Sequence, residues 1–321
     1  MSKHCPLADD ERAPLYRILP LSVPLGITIS PCNFCDFRCI YCGQADEIRK
    51  PTMLTMDQFK VIAAQLEEFE EPIKQISFVA NGETILNPEL PDMIALLKER
   101  NLACKVKVVT NANRLTHEYS DRLIAAGLDT LKVSLQGLTS EKYRKICKTT
   151  VDFERIREQL AYFYDHRKQC TVHIKVIDIA LDDGEEEKFY RIFDAHADYL
   201  FVEQCIGKYA LHQNDATNKF HFNMETMQIC SQPFFTLFID DIGNVFPCCL
   251  INGYNSQPLG NIFFKSLKLL WNEEFRVLQE TLLKKERPSY TSCIGCKQFV
   301  DVSKPSDIID GHEIEILKRM K

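Results

Sequence analysis

The 321-residue chain carries 14 cysteines, and they are unevenly placed. Four of them, Cys32, Cys35, Cys39 and Cys42, fall in the short stretch CNFCDFRCIYCG. A second group comprises Cys230, Cys248, Cys249, Cys293 and Cys296. Cys5, Cys104, Cys147, Cys170 and Cys205 are scattered and read as small buried hydrophobes. The polar start, MSKHCPLADDERAP, lacks the apolar core of a secretion signal. No apolar run approaches the ~18 residues of a membrane span. A cytoplasmic protein is therefore expected, and there clustered cysteines signal metal or redox chemistry rather than disulfides. Two chemistries suit the first group. Cys32-x2-Cys35 with Cys39-x2-Cys42 offers the thiolates of a structural zinc site, crowded into one loop. Cys35-x3-Cys39-x2-Cys42 offers three thiolates to a [4Fe–4S] cluster, which leaves one iron open to a chelating small molecule.

The rest of the chain must position these groups. It is 45% hydrophobic and 26% charged, which is ordinary for a globular protein with a large core. Its formal net charge of -6 disfavours nucleic acid as a partner. Between residues 25 and 205, β-rich runs alternate with amphipathic stretches. The runs are LGITIS, QISFV, KVKVVT, DTLKVSL, TVHIKVI and DYLFVE. The intervening segments, such as TMDQFKVIAAQLEEF, repeat apolar residues every three to four positions, as at Phe59, Ile62, Ala63 and Leu66. Thr55 and Thr116 stand where helix N-caps belong. This alternation predicts a parallel sheet with right-handed crossovers, either doubly wound or a barrel. In both, chemistry sits at the carboxyl ends of the strands. Past residue 206 a polar linker leads to a predicted hairpin turning at Gly243 and Asn244, then a helix over 265–287 and a charged C-terminal helix. The expected division is an N-terminal extension (1–24), a barrel (25–206), and a linker with a second module (207–321).

The C-x3-C-x2-C loop after the first strand, with Tyr41 before its last cysteine, resembles the radical S-adenosylmethionine (SAM) superfamily. That resemblance implies an α/β fold, a partial (β/α)6 TIM barrel. It implies that Cys35, Cys39 and Cys42 hold a [4Fe–4S] cluster, with Cys32 outside the triad. The open iron then chelates SAM, and reductive cleavage yields a 5′-deoxyadenosyl radical that takes hydrogen from substrate. Asn81-Gly82-Glu83 after the second strand resembles the family's Gly-Gly-Glu segment, whose carbonyls and Glu side chain meet the SAM ammonium. Thr110-Asn111-Ala112 resembles its Thr-Asn-Gly. Ser134 fits the SAM-ribose contact, and Arg144 the SAM carboxylate.

Cys230, Gly243-x4-Cys248 and Cys293-x2-Cys296 resemble the opening of the SPASM module and, more closely, its truncated twitch form, a small α+β domain. The resemblance implies four ligands and a fully ligated auxiliary [4Fe–4S] cluster, suited to moving electrons, with Cys249 the nearest competitor of Cys248. The spacing resembles that of 2-deoxy-scyllo-inosamine dehydrogenase-type enzymes. The expected reaction is therefore dehydrogenation of a small polyol, sugar or cyclitol, fed by an electron donor such as flavodoxin or ferredoxin. Alternatives are epimerisation, with Cys205 or Cys249 returning hydrogen, and modification of a ribosomal peptide. Substrate contacts are expected from His173, Lys175, Asp178, Glu203, Gln204, Tyr209 and His212, and a base for the hydroxyl proton from that polar set.

Overall fold

The structure is a computed structural model that describes residues 2–3, 12–43, 50–79, 81–205, 227–248, 257–286, 290, 293, 296 and 303–321. Six parallel strands form its centre: β1 (Gly26–Ile29), β2 (Ile73–Phe78), β3 (Ala103–Thr110), β4 (Thr130–Leu135), β5 (Thr171–Ile177) and β6 (Tyr199–Glu203). Each coincides with one of the predicted β-rich runs. The helices between them are α2 (Met56–Leu66), α3 (Leu90–Glu99), α4 (His117–Ala125), α5 (Ser140–Cys147), α6 (Phe153–His166) and α7 (Glu185–Phe193), after a short α1 (Leu15–Ile18). Thr55 and Thr116 do cap α2 and α4: the Thr55 hydroxyl accepts from Gln58 N, and that of Thr116 from Tyr119 N. Each satisfies a backbone donor that the first turn leaves open.

Strand alternation separates two faces. On one face Ile27, Ile76, Val106, Leu131, Val172 and Leu200 are buried in a single core with Phe59, Met93, Leu123, Leu160 and Phe189 of the helices. The register puts Thr28, Ser77 and Lys107 side by side on the other face, as it does Lys132, His173 and Tyr199. This second face lines the lumen of an open barrel.

Three features differ from the sequence-based expectation. α5 stands where no separate helix is predicted. The predicted helix over 265–287 is two helices, α8 (Leu267–Asn272) and α9 (Glu274–Leu283), parted at Glu273, which has φ −112° and ψ −71°. Most consequentially, the hairpin strands β7 (Thr236–Ile239) and β8 (Asn244–Phe246) do not form a sheet of their own. β7 pairs in parallel with β1, and with β9 (Gly260–Asn261) the order becomes β6-β5-β4-β3-β2-β1-β7-β8-β9. Among the described residues, no helix is long and apolar enough to cross a membrane.

Candidate active site

The cysteine loop leaves the carboxyl end of β1 and is tied down at several points. Ser30 donates to the Cys32 carbonyl (2.8 Å) and accepts from Asn81 N (2.8 Å), which joins the ends of β1 and β2. Cys32 is fully buried, and its thiol donates to the Glu83 carbonyl (3.1 Å). Burial pushes that thiol up to about 12, so it stays a neutral packed group. The Asn81-Gly82-Glu83 segment runs directly against the loop. Glu83 N donates to the Phe34 carbonyl (2.8 Å), and a Cβ at Gly82 would overlap the Phe34 backbone. Only glycine allows that approach.

Cys35, Cys39 and Cys42 stand on this loop, none of them in a disulfide. Phe37 N donates to Cys35 Sγ at 3.3 Å. The second half of the loop docks on the carboxyl end of α5, where Arg38 N and Ile40 N donate to the carbonyls of Cys147 and Ile146. This docking brings Cys39 Sγ to 3.7 Å from the buried Cys147 Sγ, and the Cys147 hydrogen bond holds the Cys39 thiol below its ordinary value. The Tyr41 hydroxyl donates to Gln136 just past β4, and Gln136 Nε2 donates to the Ser134 carbonyl (3.3 Å).

Glu83 joins two strand ends. Its carboxylate accepts from the Thr110 hydroxyl, Ile85 N (3.1 Å) and Asn111 N (2.7 Å), and the residue is 3% exposed. The side chain thus fastens the end of β2 to the end of β3. Burial still outweighs these bonds and pushes its carboxyl up to about 7.

A residue that sequence reasoning missed is Asp36, inside the cysteine triad. It accepts from Asn111 Nδ2 (2.9 Å), Asn113 Nδ2 (2.7 Å) and Arg114 Nε (3.2 Å), and so joins the loop to the end of β3. Asn111 therefore reaches the loop through its side chain. The next residue, Ala112, has φ +61°, in the left-handed region, at the position where the family's Thr-Asn-Gly has its glycine.

Of the substrate candidates, Lys175 and Glu203 form an ion pair on the lumen wall, and Lys175 pairs in register with Ser134. Asp178 is spent locally: its carboxylate accepts from Ile179 N (2.7 Å) and Cys205 N (2.9 Å). The His173 ring lies 4.5 Å from that of Tyr199, tilted by 39°. Arg144 lies exposed on α5. Cys249, Tyr209 and His212 lie outside the described residues.

In the second cysteine group, Cys293 and Cys296 share one turn, with Cys293 N bonded to the Tyr290 carbonyl and Cys296 N to that of Cys293. Burial pushes the Cys230 thiol up to about 12, and charge on Cys293 and Cys296 pushes the same way. Cys248 follows β8 by two residues. Burial likewise raises the Cys293 thiol, to about 11, and thiols such as Cys230 and Cys293 would be held as thiolates by a cationic cluster core. Among the described residues no three His, Cys, Asp or Glu side chains converge on the single point that a lone metal ion needs. A cluster takes its thiolates on separate irons and accepts a wider spread.

These features define an iron–sulfur enzyme on an open parallel barrel. Residues 29–191 match the radical SAM superfamily, and the chain belongs to it. Residues 230–297 match the SPASM iron–sulfur cluster-binding domain. S-adenosylmethionine and two [4Fe–4S] clusters are accordingly its cofactors. A probable GTP 3′,8-cyclase of Methanococcus maripaludis is 32% identical over 116 residues, which are 35% of this chain and 36% of that protein. The chain thus spans about a third to a half of the length of the curated relatives it matches. The structure of BtrN in complex with AdoMet and 2-DOIA superposes with a TM-score of 0.56 at 18% identity, over 89% of this chain and 98% of BtrN. Native anSMEcpe with bound AdoMet and Cp18Cys peptide gives 0.58 at 16% identity, over 93% and 96%. These likenesses establish the fold, a partial barrel with a SPASM/twitch-type module.

Proposed function

We propose that the protein is a radical SAM oxidoreductase that dehydrogenates a small polyol, sugar or cyclitol. The bound cofactors supply one-electron reduction and hydrogen-atom abstraction at a substrate C–H bond. The chain's own residues do the rest. Cys35, Cys39 and Cys42 would hold the first cluster on a loop that Asp36 and the close approach at Gly82 keep in shape. Glu203 accepts the proton of the carbinol hydroxyl, and Lys175 orients that carboxylate. Cys230, Cys248, Cys293 and Cys296 would hold the second cluster, and a cluster with four thiolates is suited to electron transfer.

The observation that carries the reading is the second cysteine group, which falls within the residues that match the SPASM domain, on both sides, in sequence, of a β7–β8 hairpin whose sheet is continuous with the barrel. The superposition with BtrN, solved with AdoMet and 2-DOIA, supports it along nearly the whole of that chain. A cytoplasmic setting and a flavodoxin or ferredoxin donor belong to the same reading.

Epimerisation is the second reading, because Cys205 lies two residues beyond Glu203 and is anchored by its N–H on Asp178. Peptide modification is a third, since anSMEcpe was solved with a peptide. The products separate them. The anaerobically reconstituted protein, SAM and dithionite are incubated with a panel of cyclitols, sugars and peptides. Dehydrogenation gives a product two hydrogens lighter, one per 5′-deoxyadenosine. An isomer carrying solvent deuterium, or a modified peptide with the sugars untouched, would overturn the first reading.

A further inference from the structure

Cys147 is a fifth cysteine at the loop of the first cluster. It reads in sequence as a small buried hydrophobe, and it is indeed fully buried, at the carboxyl end of α5. Its sulfur nonetheless lies 3.7 Å from Cys39 Sγ. Backbone on both sides of Cys39 fixes that contact. Arg38 N donates to the Cys147 carbonyl (2.8 Å) and Ile40 N to the Ile146 carbonyl (2.9 Å). These are carbonyls that the last turn of a helix leaves without a partner of its own. Lys148, at φ +54°, turns the chain out of the helix directly after Cys147. One turn earlier, the buried Tyr143 ring meets that of Phe37 in the loop edge-on, with centroids 5.8 Å apart. Cys39 is thus held over Cys147 by two backbone bonds and an aromatic contact.

The geometry does not make Cys147 a further ligand. Ligand thiolates of one cluster sit on separate irons and are held apart by the cluster core, whereas these two sulfurs touch. With Cys39 bound to iron as a thiolate, only Cys147 has a proton to give. The hydrogen bond then runs one way, with the Cys147 thiol donating and Cys39 Sγ accepting. Phe37 N gives Cys35 Sγ a comparable donor at 3.3 Å. Hydrogen bonds to cluster sulfurs help to set a cluster's reduction potential. A donor is drawn more strongly to the reduced cluster, which carries one more negative charge, and so it favours reduction.

We propose that Cys147 is a positioning residue that acts through Cys39: its thiol donates to the Cys39 sulfur and raises the reduction potential of the first cluster. Reduction adds one electron, drawn from the flavodoxin- or ferredoxin-type donor. No bond breaks, and the Cys147 proton stays on its sulfur. The inference rests on the reading of Cys39 as a ligand of that cluster.

The test is a redox titration of the reconstituted holoenzyme followed by EPR. The signal of the first cluster is the one that added SAM alters, because SAM binds only its open iron. Cys147→Ala removes the donor. Its ratio of reduced to oxidised first cluster at a fixed potential should fall about threefold or more, as for a hydrogen bond of ordinary net strength. Cys147→Ser loses the sulfur but keeps a donor, so its ratio should stay within about twofold of wild type. Iron should remain at about eight per chain in both variants. In wild-type protein exchanged into D2O, pulsed EPR should find a deuteron coupled to the first cluster that Cys147→Ala lacks. An unchanged ratio in Cys147→Ala, an equal fall in Cys147→Ser, loss of iron from both variants, or no such deuteron would overturn the proposal. Cys39→Ala separates the proposal from the reading beneath it, since it should retain about four irons. Retention of the full complement would sink the ligand assignment and the proposal with it. Loss of one cluster there, with an unchanged ratio in Cys147→Ala, would sink the proposal alone.

Discussion

Gly82 and Phe34 meet backbone to backbone, so closely that a Cβ on Gly82 would fall within the Phe34 peptide group. The neighbouring Glu83 N–H···O=C Phe34 bond, 2.8 Å long, fixes the same approach. Two peptide groups cannot yield as a flexible side chain would. Gly82→Ala must therefore push the cysteine loop away from the end of β2. Overpacking of this kind costs about 1–3 kcal/mol or more. The expected outcome is a folded protein whose iron content after reconstitution falls toward the second cluster alone. Iron quantitation beside a thermal unfolding curve checks it, and a full iron complement with unchanged unfolding would show that the contact is not rigid.

Asp36 provides a second, independent fastening of that loop. Asp36→Ala removes the acceptor shared by Asn111, Asn113 and Arg114 and leaves their donors without it. Asp36 is about one-tenth exposed, so little water is at hand to replace it. Losing such a set costs about 1–3 kcal/mol. The first cluster should then bleach several-fold faster under a chelator, while the second keeps its wild-type rate. Visible absorbance of Asp36→Ala measured in a background lacking the second cluster separates the two. Equal bleaching rates would mean that the clamp does not hold the loop.

Much of this was legible in the sequence because it rests on local periodicity and short spacing. The six strands follow from alternation, the caps from Thr55 and Thr116, and the first site from three cysteines within eight residues. What was not legible depends on partners distant in sequence. Nothing in TLFI announces that β7 will pair with β1, about 210 residues earlier. Nor does CDFRC reveal that Asp36 will meet Asn113 and Arg114, since their side chains converge only once β1 and β3 share a sheet. The motif singles out Glu83, but its bonds to the Thr110 hydroxyl and two backbone N–H groups emerge only when the ends of β2 and β3 meet. α5 was missed because its polar surface weakens the helical pattern, although Tyr143, Ile146 and Cys147 are buried beneath it.

The cysteines themselves divide by experiment. Cys35→Ala and Cys230→Ala should each lower reconstituted iron from about eight to about four per chain, as expected for one lost [4Fe–4S] cluster. Cys32→Ala should keep about eight, because its thiol is buried and donates to the Glu83 carbonyl. Only Cys35→Ala should abolish 5′-deoxyadenosine formation. Iron and sulfide assays with product quantitation check all three. Loss of iron in Cys32→Ala at wild-type thermal stability would place Cys32 among the ligands.

Asp240 gives a prediction about pH that involves neither cluster. It closes the β7–β8 turn, accepting from Ile242 N (3.1 Å), Asn244 N (2.8 Å) and Asn244 Nδ2 (2.9 Å). Those bonds favour the charged carboxylate, but burial wins and pushes the carboxyl up from 3.8 to about 6. The folded protein therefore holds a proton here that the unfolded chain has already released. Stability from this group is full below pH ~4 and is lost as pH rises to ~6, amounting to about 2–3 kcal/mol across the window. Most carboxylates act in the opposite direction, so the contribution is seen as a difference. Asp240→Asn keeps an acceptor for the turn N–H groups and carries no titrating proton. Its stability relative to wild type should therefore rise between pH 4 and pH 6 and level off above. Denaturant unfolding of both proteins at a series of pH values measures that difference, and a flat line would mean that Asp240 is ionised in the folded protein throughout.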